Sequence, residues 1–234
     1  MNVTSEPLAG PAYKDKANLK EKELRLRQLA PAVTTDLKRR AVFLDRDGVL
    51  NDLVYDVEEG RSSSPVSARD LRVFPFVADS VKKLRDMGFL VIVISNQPGV
   101  AKRQFTRAEL KRMSSKIAKE LASGGTSLDG EYYCMHSPDG LVKELRVTCD
   151  CRKPKPGLLL KAAKEMGVDL SRSYFVGDGL IDVEAGKKAG CKTILVGHMT
   201  TFLSKMMEER KATPDYMVHT LKDVPALLSR LQSQ

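Results

Sequence analysis

The sequence predicts an α/β fold: a Rossmann-like, mostly parallel sheet with helices on both of its faces. Two patterns carry the prediction. From Ala41 onward, short apolar runs recur without polar alternation, as strands buried on both faces do. Between them lie stretches whose apolar residues repeat at helical spacing. Strands alternating with helices imply parallel pairing, and ligands in such sheets sit beyond the carboxyl ends of the strands.

The first strand is Ala41-Val-Phe-Leu44. Val77, Val81 and Leu84 then share one helix face, with Gly88 as the stop. Phe89-Leu-Val-Ile-Val-Ile94 is the next strand. Leu110, Met113, Ile117 and Leu121 form a second helical stripe, opened by Thr106 and Glu109 at the spacing of a capping box. Leu158, Ala162 and Met166 make a third stripe before Gly167. Tyr174-Phe-Val176, Thr193-Ile-Leu-Val196 and Tyr216-Met-Val218 read as further strands, and Val224, Leu227, Leu228 and Leu231 as a closing helix. Cys191, alone before a strand, reads as a small core residue. Residues 1–40 differ: they contain Pro7, Gly10, Pro11 and Pro31, and Asn18 to Leu29 offers only a partial stripe for a polar helix. The chain therefore divides into a basic extension, residues 1–40, mobile or loosely docked, and a domain of residues 41–234.

Composition narrows the function. A chain of 234 residues can bury a core without staples, and 4 Cys are too few for a disulfide scaffold. The longest aliphatic or aromatic run, Phe89 to Ile94, is far short of the roughly 20 residues that span a bilayer. The first 40 residues lack the apolar stretch of a secretory signal. A cytoplasmic protein without membrane partners is expected. The net charge of +9 suits an anionic small molecule or a nucleic acid. No aromatic residues interleave with the basic ones, and residues 1–40 hold nine basic against five acidic residues, so nucleic acid is not expected as the main partner. A monomer is the favoured state.

Four polar clusters stand at strand exits. Asp45-Arg-Asp47-Gly48 leaves the first strand, and two carboxylates so close need a cation or a proton. Ser95-Asn96-Gln97 leaves the second, where a hydroxyl and two amides can donate to an anion. Arg152, Lys153 and Lys155 precede a helix start marked by Pro156, a setting suited to an anionic group. Asp178 lies between Gly177 and Gly179, and Asp182 reads as a helix-start acid. Singly, each cluster is also an ordinary turn. Jointly, Asp45, Asp47 and Asp178 make an oxygen-rich site suited to Mg²⁺, and Ser95 with Lys153 completes a phosphate cradle. The chemistry that follows is attack of an Asp carboxylate on phosphorus, with Mg²⁺ and Lys153 offsetting the repulsion between anions.

Asp45-x-Asp47-Gly, Ser95, Lys153 and Gly177-Asp178-x-x-x-Asp182 resemble, in order and setting, the four motifs of the haloacid dehalogenase superfamily of Mg²⁺-dependent phosphatases. The resemblance covers about residues 41–230. It implies that Asp45 is the nucleophile and that Asp47 is first the acid and then the base. By the same resemblance, Ser95 and Lys153 bind the phosphoryl group, while Asp45, the Asp47 backbone carbonyl and Asp178 hold Mg²⁺. Asp47 then needs a raised pKa.

Cys134-x-His136 and Cys149-x-Cys151 supply three thiols and an imidazole, a closed tetrahedral set for a structural Zn²⁺ that would hold the 134–151 loop. A disulfide is the rival reading. Together with Cys-Arg-Lys-Pro, this loop is similar to the branch containing the D,D-heptose 1,7-bisphosphate and histidinol-phosphate phosphatases. The twelve residues between His136 and Cys149, and the stretch from Asn96-Gln97 to Phe105-Thr106, favour the heptose side. That resemblance implies a sugar-phosphate substrate, no large cap domain, and substrate contacts from Ser95, Asn96, Gln97, Arg152 and Lys153. Alternatives are a histidinol-phosphate phosphatase, a polynucleotide 3′-phosphatase, or a zinc-stabilised binding module on a phosphatase frame. Pro98, Gly179 and the long Asp52–Asp70 stretch depart from the family pattern.

Overall fold

The computed structural model describes residues 39–58 and 60–233. The extension, with its candidate polar helix, lies outside them, apart from residues 39 and 40. Six strands form one parallel sheet: β1 (Ala41–Leu44), β4 (Leu90–Asn96), β5 (Gly130–Cys134), β6 (Tyr174–Gly177), β7 (Lys192–Val196) and β8 (Tyr216–Val218). Their order is β5-β4-β1-β6-β7-β8. The chain steps outward from β1 to one edge, then returns to β6 and steps to the other. The carboxyl ends of β1, β4 and β6 thus flank the point where strand order reverses, the place where open α/β sheets bind ligands.

Each strand feeds both faces. Val42 and Leu44 join Val91 and Val93 beneath α1 (Val77–Asp86), α2 (Arg107–Ser123) and the closing helix α6 (Val224–Gln232). Ala41 and Phe43 join Ile92 and Ile94 beneath α3 (Gly157–Met166) and the alanines of α4 (Leu180–Ala189). Met207 of α5 (Thr201–Arg210) packs with Leu195 and Val183 on that second face. Every predicted stripe faces the core, with Met166 at the end of α3 and Leu227 and Leu231 of α6 only half-buried. The stops hold as well: Gly88 and Gly167 take positive φ just after their helices. Thr106 accepts a hydrogen bond from the Glu109 N–H, the first half of the predicted capping box. The Glu109 carboxylate goes elsewhere, to the Ala68 N–H at 2.7 Å, and so ties α2 to the Asp52–Asp70 stretch. Cys191 is buried.

The long stretch after β1 carries a small antiparallel hairpin of β2 (Val54–Asp56) and β3 (Arg61–Ser63). Among the described residues no large cap domain is inserted, and no helix is long and apolar enough to cross a membrane.

Candidate active site

Asp45 follows β1, and its backbone N–H donates to the Val176 carbonyl at 2.9 Å, which extends the β1–β6 pairing by one residue. Its side chain is nearly buried and its Oδ1 lies 2.9 Å from Lys153 Nζ. Lys153 reaches this point from the segment before α3. There its ammonium pairs with Asp182 Oδ1 at 2.6 Å and donates to the Ile94 carbonyl at 3.2 Å. Burial opposes the Lys153 charge, but Asp182 and Asp45 outweigh it and raise its pKa. The ammonium is a fixed cation beside a candidate nucleophile.

Asp178 follows β6, and one oxygen each from Asp45, Asp178 and Asp182 can lie within 4.8 Å of the others. The turn that permits this is built on Gly48, whose φ of +80° is open to glycine and strained for other residues. A Cβ at Gly48 would also collide with the Asp178 carboxylate. Gly48 therefore serves the approach of two loops as well as the bend. Dense surroundings, then the Asp45 and Asp182 charges, push Asp178 up to about 7 although its side chain faces solvent. Asp182 is driven to about 6, by burial first, against the pull of Lys153. The three crowded carboxylates could hold a divalent cation, and their hard oxygen donors suit Mg²⁺.

Asp182 belongs to this cluster more deeply than a helix-start acid would. Its Oδ2 does accept the Gly179 N–H at 3.1 Å, but its Oδ1 serves Lys153. The signal for that second role was the four-residue spacing from Asp178, which returns the side chain to the same end of α4.

Asp47 is nearly buried and receives four hydrogen bonds. Oδ1 accepts from Arg46 Nε at 3.0 Å and Asn51 Nδ2 at 3.0 Å. Oδ2 accepts from Arg46 Nη2 at 3.1 Å and Gln97 Nε2 at 2.9 Å. Neither Arg46 nor Asn51 is among the residues the sequence singles out. Their signal is position: a strong cation between two candidate carboxylates, and an amide four residues after the second.

The predicted phosphate-binding trio divides. The strand β4 runs on through Ser95 and Asn96, paired with Tyr133 and Cys134 of β5. Ser95 is buried at the site, and its hydroxyl accepts from Gln97 Nε2 at 3.1 Å. Asn96 turns away to clamp the Lys153 backbone: its Nδ2 donates to the Lys153 carbonyl at 3.1 Å and its Oδ1 accepts the Lys153 N–H at 3.0 Å. Gln97 directs its amide nitrogen to Asp47 and Ser95. Arg152 is half-buried and donates to the His136 carbonyl at 3.3 Å.

Cys134, at the end of β5, meets His136, Cys149 and Cys151. The three sulfurs lie 3.1 to 3.6 Å apart, and His136 Nδ1 is 3.2 Å from Cys151 Sγ. All four cysteines are free thiols, so the disulfide reading does not describe this cluster. Zinc–sulfur bonds of about 2.3 Å would place tetrahedral sulfurs roughly 3.7 Å apart, close to these separations. Burial and then the neighbouring sulfurs raise the Cys151 thiol pKa, the crowding a soft cation would relieve. The cluster could hold zinc.

This fold and its strand-end carboxylates define a HAD-like hydrolase frame, and residues 150–224 match a family model described as HAD-hydrolase-like. The D-glycero-β-D-manno-heptose-1,7-bisphosphate 7-phosphatase of Escherichia coli (strain K12) is 35% identical over 195 residues, covering 82% of this chain and 95% of the relative. The enzyme of the same name from Pasteurella multocida (strain Pm70) is 36% identical over 201 residues, 83% of this chain and 100% of the relative. Among solved structures, D,D-heptose 1,7-bisphosphate phosphatase from B. bronchiseptica, complexed with magnesium and phosphate, aligns with a TM-score of 0.67 and 28% identity. That alignment covers 83% of this chain and 99% of the other. The chain belongs to the heptose-1,7-bisphosphate 7-phosphatase family of HAD-like phosphoric monoester hydrolases.

Proposed function

We propose that this protein removes the C7 phosphate of D-glycero-D-manno-heptose 1,7-bisphosphate, acting as a cytoplasmic monomer. The observation that carries the reading is the contact of Asp45 with Lys153, 2.9 Å apart beside two further carboxylates at the strand-order reversal. The names of the relatives support the substrate.

Asp45 attacks phosphorus, the bond to the C7 oxygen breaks, and Asp47 protonates the departing oxygen. Asp47 then takes a proton from the water that attacks the aspartyl-phosphate, releasing phosphate and restoring Asp45. Lys153 and the Ser95 hydroxyl hold the phosphoryl oxygens, and Lys153 offsets repulsion between nucleophile and phosphate. Arg152 borders the sugar, while Asn96 and Gln97 act through Lys153 and Asp47. Asp45, the Asp47 backbone carbonyl and Asp178 would hold Mg²⁺, which supplies positive charge to the transferring group.

The test is phosphate release with Mg²⁺ from both anomers of the heptose bisphosphate, histidinol phosphate and a 3′-phosphorylated oligonucleotide. A preference of about a hundredfold or more for a heptose anomer is expected, since polar contacts to a sugar discriminate strongly. Equal or better turnover of histidinol phosphate or the oligonucleotide would refute the substrate.

Cys134, His136, Cys149 and Cys151 are proposed to hold one structural Zn²⁺, closing the 134–151 loop against β5. Elemental analysis of protein purified reduced and without chelator should give one zinc per chain; a zinc-free, fully folded protein would overturn this.

A further inference from the structure

Arg46 is the largest fully buried side chain among the described residues. A guanidinium without solvent is costly unless an anion is fixed against it. Here the anion is Asp47. Nε and Nη2 grip its two oxygens at 3.0 and 3.1 Å, the two-pronged geometry that fixes a carboxylate in orientation as well as position. The other two donors to Asp47 are neutral amides, Asn51 and Gln97, held at single points. Arg46 is therefore the one charged, bidentate hold on Asp47 in this cluster.

We propose that Arg46 is a positioning residue that aims the Asp47 carboxyl group at the departing oxygen. It contacts no substrate in this reading and acts only through Asp47. The inference rests on the reading of Asp47 as the acid of the phosphatase reaction, and its test separates the two.

A nitrophenyl leaving group departs without a proton, whereas a sugar alkoxide needs one. For the heptose bisphosphate and for 4-nitrophenyl phosphate, kcat/KM is measured in Arg46→Met, Arg46→Lys, Asp47→Asn and the double variant Arg46→Met/Asp47→Asn. Both single Arg46 variants should lose at least about tenfold more on the sugar phosphate than on the aryl phosphate. The double variant should be no worse than Asp47→Asn alone, because effects that run through one group do not add. Equal losses on the two substrates, or additive losses in the double variant, would make Arg46 merely structural and overturn the proposal. If Asp47→Asn itself shows no leaving-group preference, the acid assignment fails instead, and Arg46 loses its stated role with it. Arg46→Lys keeps the buried charge but loses the two-pronged grip, so it decides the matter should Arg46→Met not fold.

Discussion

Asp45→Asn is expected to lower turnover by on the order of 10⁴-fold while leaving the fold intact. The amide keeps the shape of the carboxylate but cannot attack phosphorus. The fold survives because Lys153 keeps its 2.6 Å pair with Asp182 and its bond to the Ile94 carbonyl. One of three mutually repelling carboxylates is also neutralised, which offsets the lost contact to Lys153. The thermal midpoint should stay within about 4 °C of the parent, the shift that 1 kcal/mol gives in a chain of this size. Phosphate release and thermal unfolding measure both halves. Unchanged turnover would remove Asp45 as nucleophile.

Lys153→Met has the largest expected effect on stability. Lys153 is 3% exposed and Asp182 is 2% exposed, so solvent screens their pair little. Removing the cation strands Asp182 beside Asp45 and Asp178. Breaking a buried pair from one side costs about 3–5 kcal/mol, roughly a 10 °C fall in the midpoint. Activity should fall as well, because no other ammonium or guanidinium contacts Asp45 among the described residues. The double variant Lys153→Met/Asp182→Asn removes the stranded charge and should recover most of the stability but none of the turnover. If the single variant melts with the parent, Lys153 is not the electrostatic keystone described here. If the double variant regains turnover, Lys153 has no catalytic part.

The sequence was most readable where the physics is local and repetitive. Val42, Leu44, Phe43 and their neighbours announce a sheet covered on both faces because no polar residue interrupts them. Gly88 and Gly167 announce helix stops because positive φ suits them. The edge strand β5 carries no continuous apolar run, because Glu131 is exposed and Tyr132 and Tyr133 are only partly covered. The hairpin of β2 and β3 has no buried stripe: Arg61, Ser62 and Ser63 are all exposed. Helix α5 buries Met207 alone, too little for a periodic signal.

The site was legible as a set of strand-end polar residues, since β1, β4 and β6 must deliver Asp45, Ser95 and Asp178 to one rim. What each side chain does there depends on long-range partners. Asn96 folds back on Lys153, 57 residues away in sequence, and Gln97 reaches Asp47, 50 residues away. No pattern within Ser95-Asn96-Gln97 distinguishes the side chain that reaches Asp47 from the one that clamps the Lys153 backbone. The zinc-type cluster was easier, because its four ligands sit in two tight pairs whose chemistry leaves few alternatives.

On the proposed mechanism the phosphoryl group passes through Asp45. In an Asp47→Asn variant, water attack on the intermediate lacks its base, so the aspartyl-phosphate should accumulate. Rapid quenching in acid during reaction with 4-nitrophenyl phosphate, then peptide mass spectrometry, should find one phosphoryl group on the Asp45 carboxylate. A phosphoryl group on Asp178 or Asp182, or turnover with no acyl-phosphate on any residue, would contradict the account.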